Sequence, residues 1–165
     1  MDGLLYNQPN FTDIICMDTL KTILLESELP VLALSLVLGG LIGLEREIHQ
    51  KPAGLRTNMM ICMAATVFTL LCKSLQSGEA ESRVIQGVIT GVGFLGAGAL
   101  MHTQGNVHGL TTAASIWLVT GVGVACGLGR YDTAVITTIL TLIVLWGLSP
   151  LDKRLKKNGK NNTAS

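Results

Sequence analysis

Apolar stretches of similar length alternate with short polar turns along most of this chain, and the alternation predicts helices that cross a bilayer. Residues 29–46 form the first stretch, opened by Pro30, whose missing N–H does no harm in a helix's first turn. Its uncharged part, 29–44, is slightly short for a bilayer, so Glu45 or residues 23–25 complete the crossing. A charged turn follows, then apolar stretches at 56–75, 83–101, 109–128 and 131–149, separated by polar loops around 77–82 and 102–108. Between residues 84 and 129 there is no Lys, Arg, Asp or Glu, a run too long for one core helix and enough for two spans of about 20 residues each. The pattern predicts an all-α, polytopic membrane helix bundle of about five transmembrane helices. An extramembrane or interfacial segment, 1–28, precedes a transmembrane domain, 29–150, and a basic tail, 151–165, follows it.

Composition agrees. In 165 residues, 48% are hydrophobic and only 14% charged, with mean hydropathy +0.50, outside the range of ordinary soluble domains. The net charge of +1 gives no reason to expect nucleic acid as a partner, because the basic residues are sorted along the chain instead of forming one stripe. Their sorting reports topology. Arg46, Lys51, Arg56, Lys153, Arg154, Lys156, Lys157 and Lys160 fall on one side of a five-span chain, against Lys21, Lys73, Arg83 and Arg130 on the other. The excess places the C-terminus in the cytoplasm and the N-terminus outside. Cys16, Cys62, Cys72 and Cys126 show no metal-ligand spacing, and the last three read as small hydrophobes within spans. No cleavable export signal is expected, since no basic residue precedes Lys21.

In lipid, helices gain little by burying apolar side chains against one another, so close packing needs small residues. Ser35, Gly39 and Gly43 form such a row on the first span; Gly87 and Gly91, with Gly93 and Ala97 alongside, form one on the third. Gly121, Ala125 and Gly129 follow on the fourth, and Thr133, Thr137 and Thr141 on the fifth. Thr-Gly-Val-Gly occurs at 90–93 and again at 120–123, which common packing demands explain without a duplication. The G-x-G-x-x-G match at 91–96 is not a dinucleotide fingerprint, because the glycines lie in a span and no acid follows until Asp132.

Charge beside lipid is costly unless it snorkels, pairs or works, which directs attention to the turn at 43–57. Glu45 lies at the dipole-negative end of the first helix and Arg56 at the dipole-positive start of the second. Each is at the unfavourable end, and a turn through Pro52, Ala53 and Gly54 brings the two together, so a Glu45–Arg56 ion pair is expected. Glu47, His49 and Lys51 read as a solvated helix end, with Glu45/His49 and Glu47/Lys51 at i,i+4 spacing.

Gly43-Leu-Glu-Arg-Glu, Lys51-Pro-Ala-Gly-Leu-Arg-Thr57, Gly93-Phe-Leu-Gly-Ala-Gly98, Gly109-Leu-Thr-Thr-Ala-Ala-Ser-Ile-Trp117 and Gly123-Val-Ala-Cys-Gly127 together resemble the signatures of the bacterial MgtC/SapB membrane family, over residues 29–148. The resemblance implies a bacterial inner-membrane protein linked to growth under magnesium limitation and, in pathogens, to virulence. It also implies a regulatory role, with membrane complexes such as the proton-translocating ATP synthase among the partners of some members. Carried over by motif, the positions of interest are Glu45, Arg46, Lys51, Pro52, Gly54, Leu55, Arg56 and Thr57, then Gly93, Gly96, Gly98, Gly109, Thr111, Thr112 and Trp117. The chain departs at Asn58, where the family often has His, and at His108, where it often has Arg. It ends after the fifth span, so functions of the cytoplasmic domain of longer members are not transferred.

Two functions compete. A non-enzymatic regulator would bind another membrane protein through its glycine-faced helices or cytoplasmic turns, with His108, Thr111, Thr112 and Trp117 as further partner or sensing positions. A magnesium or other cation transporter or channel would need oxygen ligands deep in the spans, and none lies deeper than Glu45 and Asp132. No metal site and no cofactor is expected. His102 and His108 read as solvated loop residues, with Thr111 or Thr112 assisting the cap of the fourth helix. No nucleophile, base and orienter assemble into an enzyme site. The open glycine rows also fit a homo-oligomer.

Overall fold

The computed structural model describes residues 28–73, 78–103 and 106–147. Among the described residues five helices make up the bundle: α1, Glu28–Ile48; α2, Leu55–Lys73; α3, Gly78–Gly98; α4, Leu110–Gly127; and α5, Tyr131–Gly147. A helix stands at each of the five expected positions, and the protein is an all-α membrane bundle. Three of the helices, α1, α2 and α4, are long and apolar enough to cross a membrane by themselves. The 21-residue α3 opens on Glu79, Glu81 and Arg83, and α5 is a shorter apolar helix of 17 residues. Expectations for residues 1–27, for the tail and for positions 74–77 lie outside the described residues, as does any account of the His102 side chain; residues 78–82, expected as part of a polar loop, instead form the first turn of α3.

A loop was expected at 102–108. The chain instead forms a short antiparallel hairpin, β1, Met101–Thr103, with β2, Asn106–His108, in the register Met101↔His108, His102↔Val107 and Thr103↔Asn106. Thr103 and Val107 are β-branched and favour extended backbone.

α4 is the hub, touching α1, α2, α3 and α5. Its Val119, Val122 and Cys126 are buried with Val31, Leu38 and Ile42 of α1, Cys62 of α2 and Ala134 of α5. A second cluster joins Ala53 of the α1–α2 turn to Val92 of α3 and Ile116 of α4. The antiparallel course therefore gathers the α1–α2 turn, the end of α3, the hairpin and the start of α4 at one end of the bundle.

The rows of small residues divide by their surroundings. A Cβ on Gly39 would lie 2.6 Å from the Cys62 Cβ and 2.8 Å from the Asn58 carbonyl oxygen, and one on Gly43 would lie 2.8 Å from the Leu55 Cα. α1 and α2 thus approach backbone to backbone. By contrast, a Cβ at Gly87, Gly91, Gly93, Gly98 or Gly121 would meet nothing within 4 Å, and one at Gly96 makes only ordinary contact with Ala113, at 3.7 Å. Packing expected of those five glycines is absent among the described residues. On α4 the close face is the other one: Gly123 is seated on the Cys62 carbonyl, and a Cβ on Gly127 would lie 2.5 Å from the Thr69 Cβ. The Thr66 hydroxyl bridges the same seam, at 2.9 Å from the carbonyl oxygens of both Cys62 and Gly123. Ala125 is half-buried, and Gly129, expected to continue the Gly121/Ala125 row, instead ends α4. At φ 76 it closes a helix-terminating motif in which Arg130 N–H donates to Ala125 O and Gly129 N–H to Cys126 O.

Candidate functional site

α1 ends by the same device. Lys51 N–H donates to the Arg46 carbonyl at 2.9 Å and Gln50 N–H to that of Glu47 at 2.9 Å, with Gln50 left-handed at φ 52. Pro52 then prevents the helix from resuming. The chain turns through Ala53 and Gly54, and the Glu47 carboxylate crosses the turn to accept the Leu55 N–H at 2.9 Å, satisfying one of the free donors at the start of α2. That carboxylate lies directly against Gly54, where any side chain would collide with it. Glu47 was expected to be merely solvated; although exposed, it caps the next helix.

Asn58 holds the turn from within. Wholly buried beside Gly43, it donates from Nδ2 to the carbonyls of Ala53 and Gly54, each at 2.8 Å. Sequence reasoning passed over it except as a departure from a motif. The available signal was an amide side chain one turn into an apolar helix, where burial costs free energy unless the group bonds.

The expected Glu45–Arg56 pair is not formed. Glu45 Oε2 lies 3.5 Å from Nε of Arg46, and its Oε1 lies 3.1 Å from Nδ1 of His49, which also contacts the Glu45 carbonyl at 2.9 Å. Arg56 is exposed. Arg46 and His49, on the same helix end, reach Glu45 before Arg56 across the turn does. Glu45 and Arg46 are buried, at 9% and 3% exposure, and Glu45 Oε2, Arg46 Nε and Asn58 Oδ1 have no hydrogen-bond partner among the described residues. A charge pair this dry is held by its surroundings, and removing one member strands the other.

The outer rim is different in kind. Lys51, Pro52, Arg56 and Thr57 are all exposed on this internally fixed turn. At the same end of the bundle, His108 is exposed at the end of β2, and Gly109 takes φ 95 with the Ala99 carbonyl against it, so both the backbone and the space there require glycine. Gly109 stands at the cap of α4 with no side-chain cap bond, so neither Thr111 nor Thr112 caps it. Thr111 is exposed, Thr112 buried, and Trp117 55% exposed on the outer face of α4. At the opposite end, Arg130 and Asp132 form an exposed pair at 3.8 Å, of little energetic weight. Among the described residues no group of three or more His, Cys, Asp or Glu side chains is placed to hold a metal ion.

Residues 32–154 match the model of the MgtC family. Among curated proteins, the chain is 44% identical over 108 residues to "Protein MgtC" of Salmonella typhimurium strain LT2, covering 66% of this chain and 46% of that protein. It is 39% identical over 120 residues to "Protein MgtC" of Brucella abortus strain 2308, covering 73% of this chain and 50% of that one. The chain thus spans about half the length of these relatives. No solved structure matches it.

Proposed function

The chain belongs to the MgtC family, and from that premise we propose that it is a bacterial inner-membrane regulatory protein that acts by binding another membrane protein through the turn between α1 and α2. The observation that carries this reading is the contrast within the turn: Lys51, Pro52, Arg56 and Thr57 face outward while Asn58, Glu47 and the end of α1 fix the backbone beneath them. A recognition surface that is already ordered loses little entropy on association, so a small cationic turn suffices for specific binding. The setting proposed for this activity is adaptation to low magnesium, with virulence as its consequence in pathogens and the ATP synthase as one candidate partner.

The competing reading is cation transport. Magnesium prefers several carboxylate oxygens and retained waters, whereas the one acid buried in the spans, among the described residues, is Glu45, already beside Arg46 and His49. That favours the regulator, and among the described residues no nucleophile with an attendant base favours an enzyme.

A photo-crosslinking residue at Lys51, in intact membranes of growing cells, is expected to trap one membrane protein reproducibly, with loss of the adduct when Arg56 is changed to Glu. In parallel, the purified protein in sealed vesicles is expected to carry neither magnesium nor protons. Saturable flux abolished by Glu45→Gln would overturn the proposal in favour of transport.

A further inference from the structure

Between α2 and α3 lies a groove of about 570 Å³, walled by Met60 and Phe68 on α2 and by Val84, Gly87, Gly91 and Leu95 on α3. Its surface is almost wholly apolar, and the Thr120 hydroxyl at its base is already engaged with the Ile116 carbonyl at 3.0 Å. The space exists because Gly87 and Gly91 present no side chain and meet nothing within 4 Å. Such a hollow in a membrane protein is filled by something apolar.

Size suits a hydrocarbon chain. An apolar cavity of about 150 Å³ accommodates benzene, so a space of 570 Å³ corresponds to roughly twenty carbon atoms, about one acyl chain. A helix laid along the groove would send only side chains into it. Length agrees. From residue 84 to residue 95 an α-helix rises about 16 Å, close to half of the roughly 30 Å hydrocarbon core. The groove is therefore as deep as one leaflet. It also begins where the charges stop: Arg83, the last charged residue of α3, directly precedes Val84, and Lys73 closes α2 at the same end. Both are exposed and have no ion-pair partner among the described residues.

We propose that this groove binds one acyl chain of a membrane glycerophospholipid, with the lipid's phosphodiester resting against Arg83 and Lys73. Glu79 and Glu81 stand at the same end and offset the two cations, so the site reads the phosphodiester common to these lipids instead of net negative charge. Zwitterionic and anionic phospholipids are then bound alike.

The test is native mass spectrometry of the delipidated full chain in detergent, titrated separately with dioleoyl phosphatidylcholine and dioleoyl phosphatidylglycerol. One phospholipid per chain is expected at saturation for both. Gly91→Leu and Gly87→Leu, which plug the groove without entering the bundle, should each weaken binding about tenfold or more, and Arg83→Gln about fivefold. Gly98→Leu, at an equally open glycine outside the groove, should leave binding unchanged; helicity and thermal unfolding verify that each variant is folded. Absence of a discrete one-lipid complex, or binding unaffected in both folded plug variants, overturns the proposal. A dimer abolished by the plug variants while lipid binding persists assigns the groove to a second copy and overturns it too.

Discussion

Asn58 carries more of the turn than any charged residue near it. Its two donated bonds reach the Ala53 and Gly54 carbonyls, and removing them leaves the Ala53 carbonyl unpaired, while that of Gly54 keeps the Asn58 backbone N–H at 3.1 Å. Asn58→Ala is expected to lower stability by about 2 kcal/mol, measured by reversible denaturant unfolding in mixed micelles; an unchanged midpoint would contradict the account. Gln50 presents the reverse case. A left-handed backbone at the residue after a helix is the position where glycine is favoured, so Gln50→Gly should raise stability by about 0.5–1 kcal/mol in the same assay. The importance of this region was legible in the sequence because charge beside lipid is rare, yet the partner of Glu45 was not. An argument from helix dipoles treats each helix end as a point, whereas Arg46 and His49 share an end with Glu45 and reach it without spanning the turn.

Among the helices, spacing identified the small residues and left open which face is used. Gly121, Ala125, Gly123 and Gly127 occupy two rows on one helix at the same interval, and only the neighbours choose between them. The choice falls on Gly123 and Gly127 because α2 offers Cys62, Ala65 and Thr69 there, with Thr66 adding a bond across the seam. Gly123→Ala should therefore cost about 1–3 kcal/mol through overpacking, whereas Gly121→Ala, facing open space, should be close to neutral. Equal effects in thermal unfolding would show that the seam is misassigned. The places of the five helices were readable to within a few residues, since bilayer thickness sets the length of apolar runs, although α3 begins at Gly78, five residues before its apolar run. The hairpin after α3 was less so, because three-residue strands leave almost no periodic signal.

At the scale of the molecule, five alternating helices place the 49–54 turn at one end of the bundle, and the end of α2 at Lys73 with the start of α3 at Gly78 at the other. In a cysteine-free background, Lys51→Cys and Arg83→Cys are expected to react with a membrane-impermeant maleimide from opposite sides of sealed vesicles; reaction of both from one side would break the five-span order. The central place of α4 also has a temporal side. Synthesis proceeds from the N-terminus, so α1 and α2 can zip together on their glycines as soon as they have been inserted. α3, with most of its glycines facing nothing, gains its main protein neighbour only when α4 arrives. A ribosome that pauses before residue 110 leaves a finished hairpin and a third segment held along α2 alone, and the fate of the nascent chain then rests with whatever membrane chaperone or protease meets that segment first.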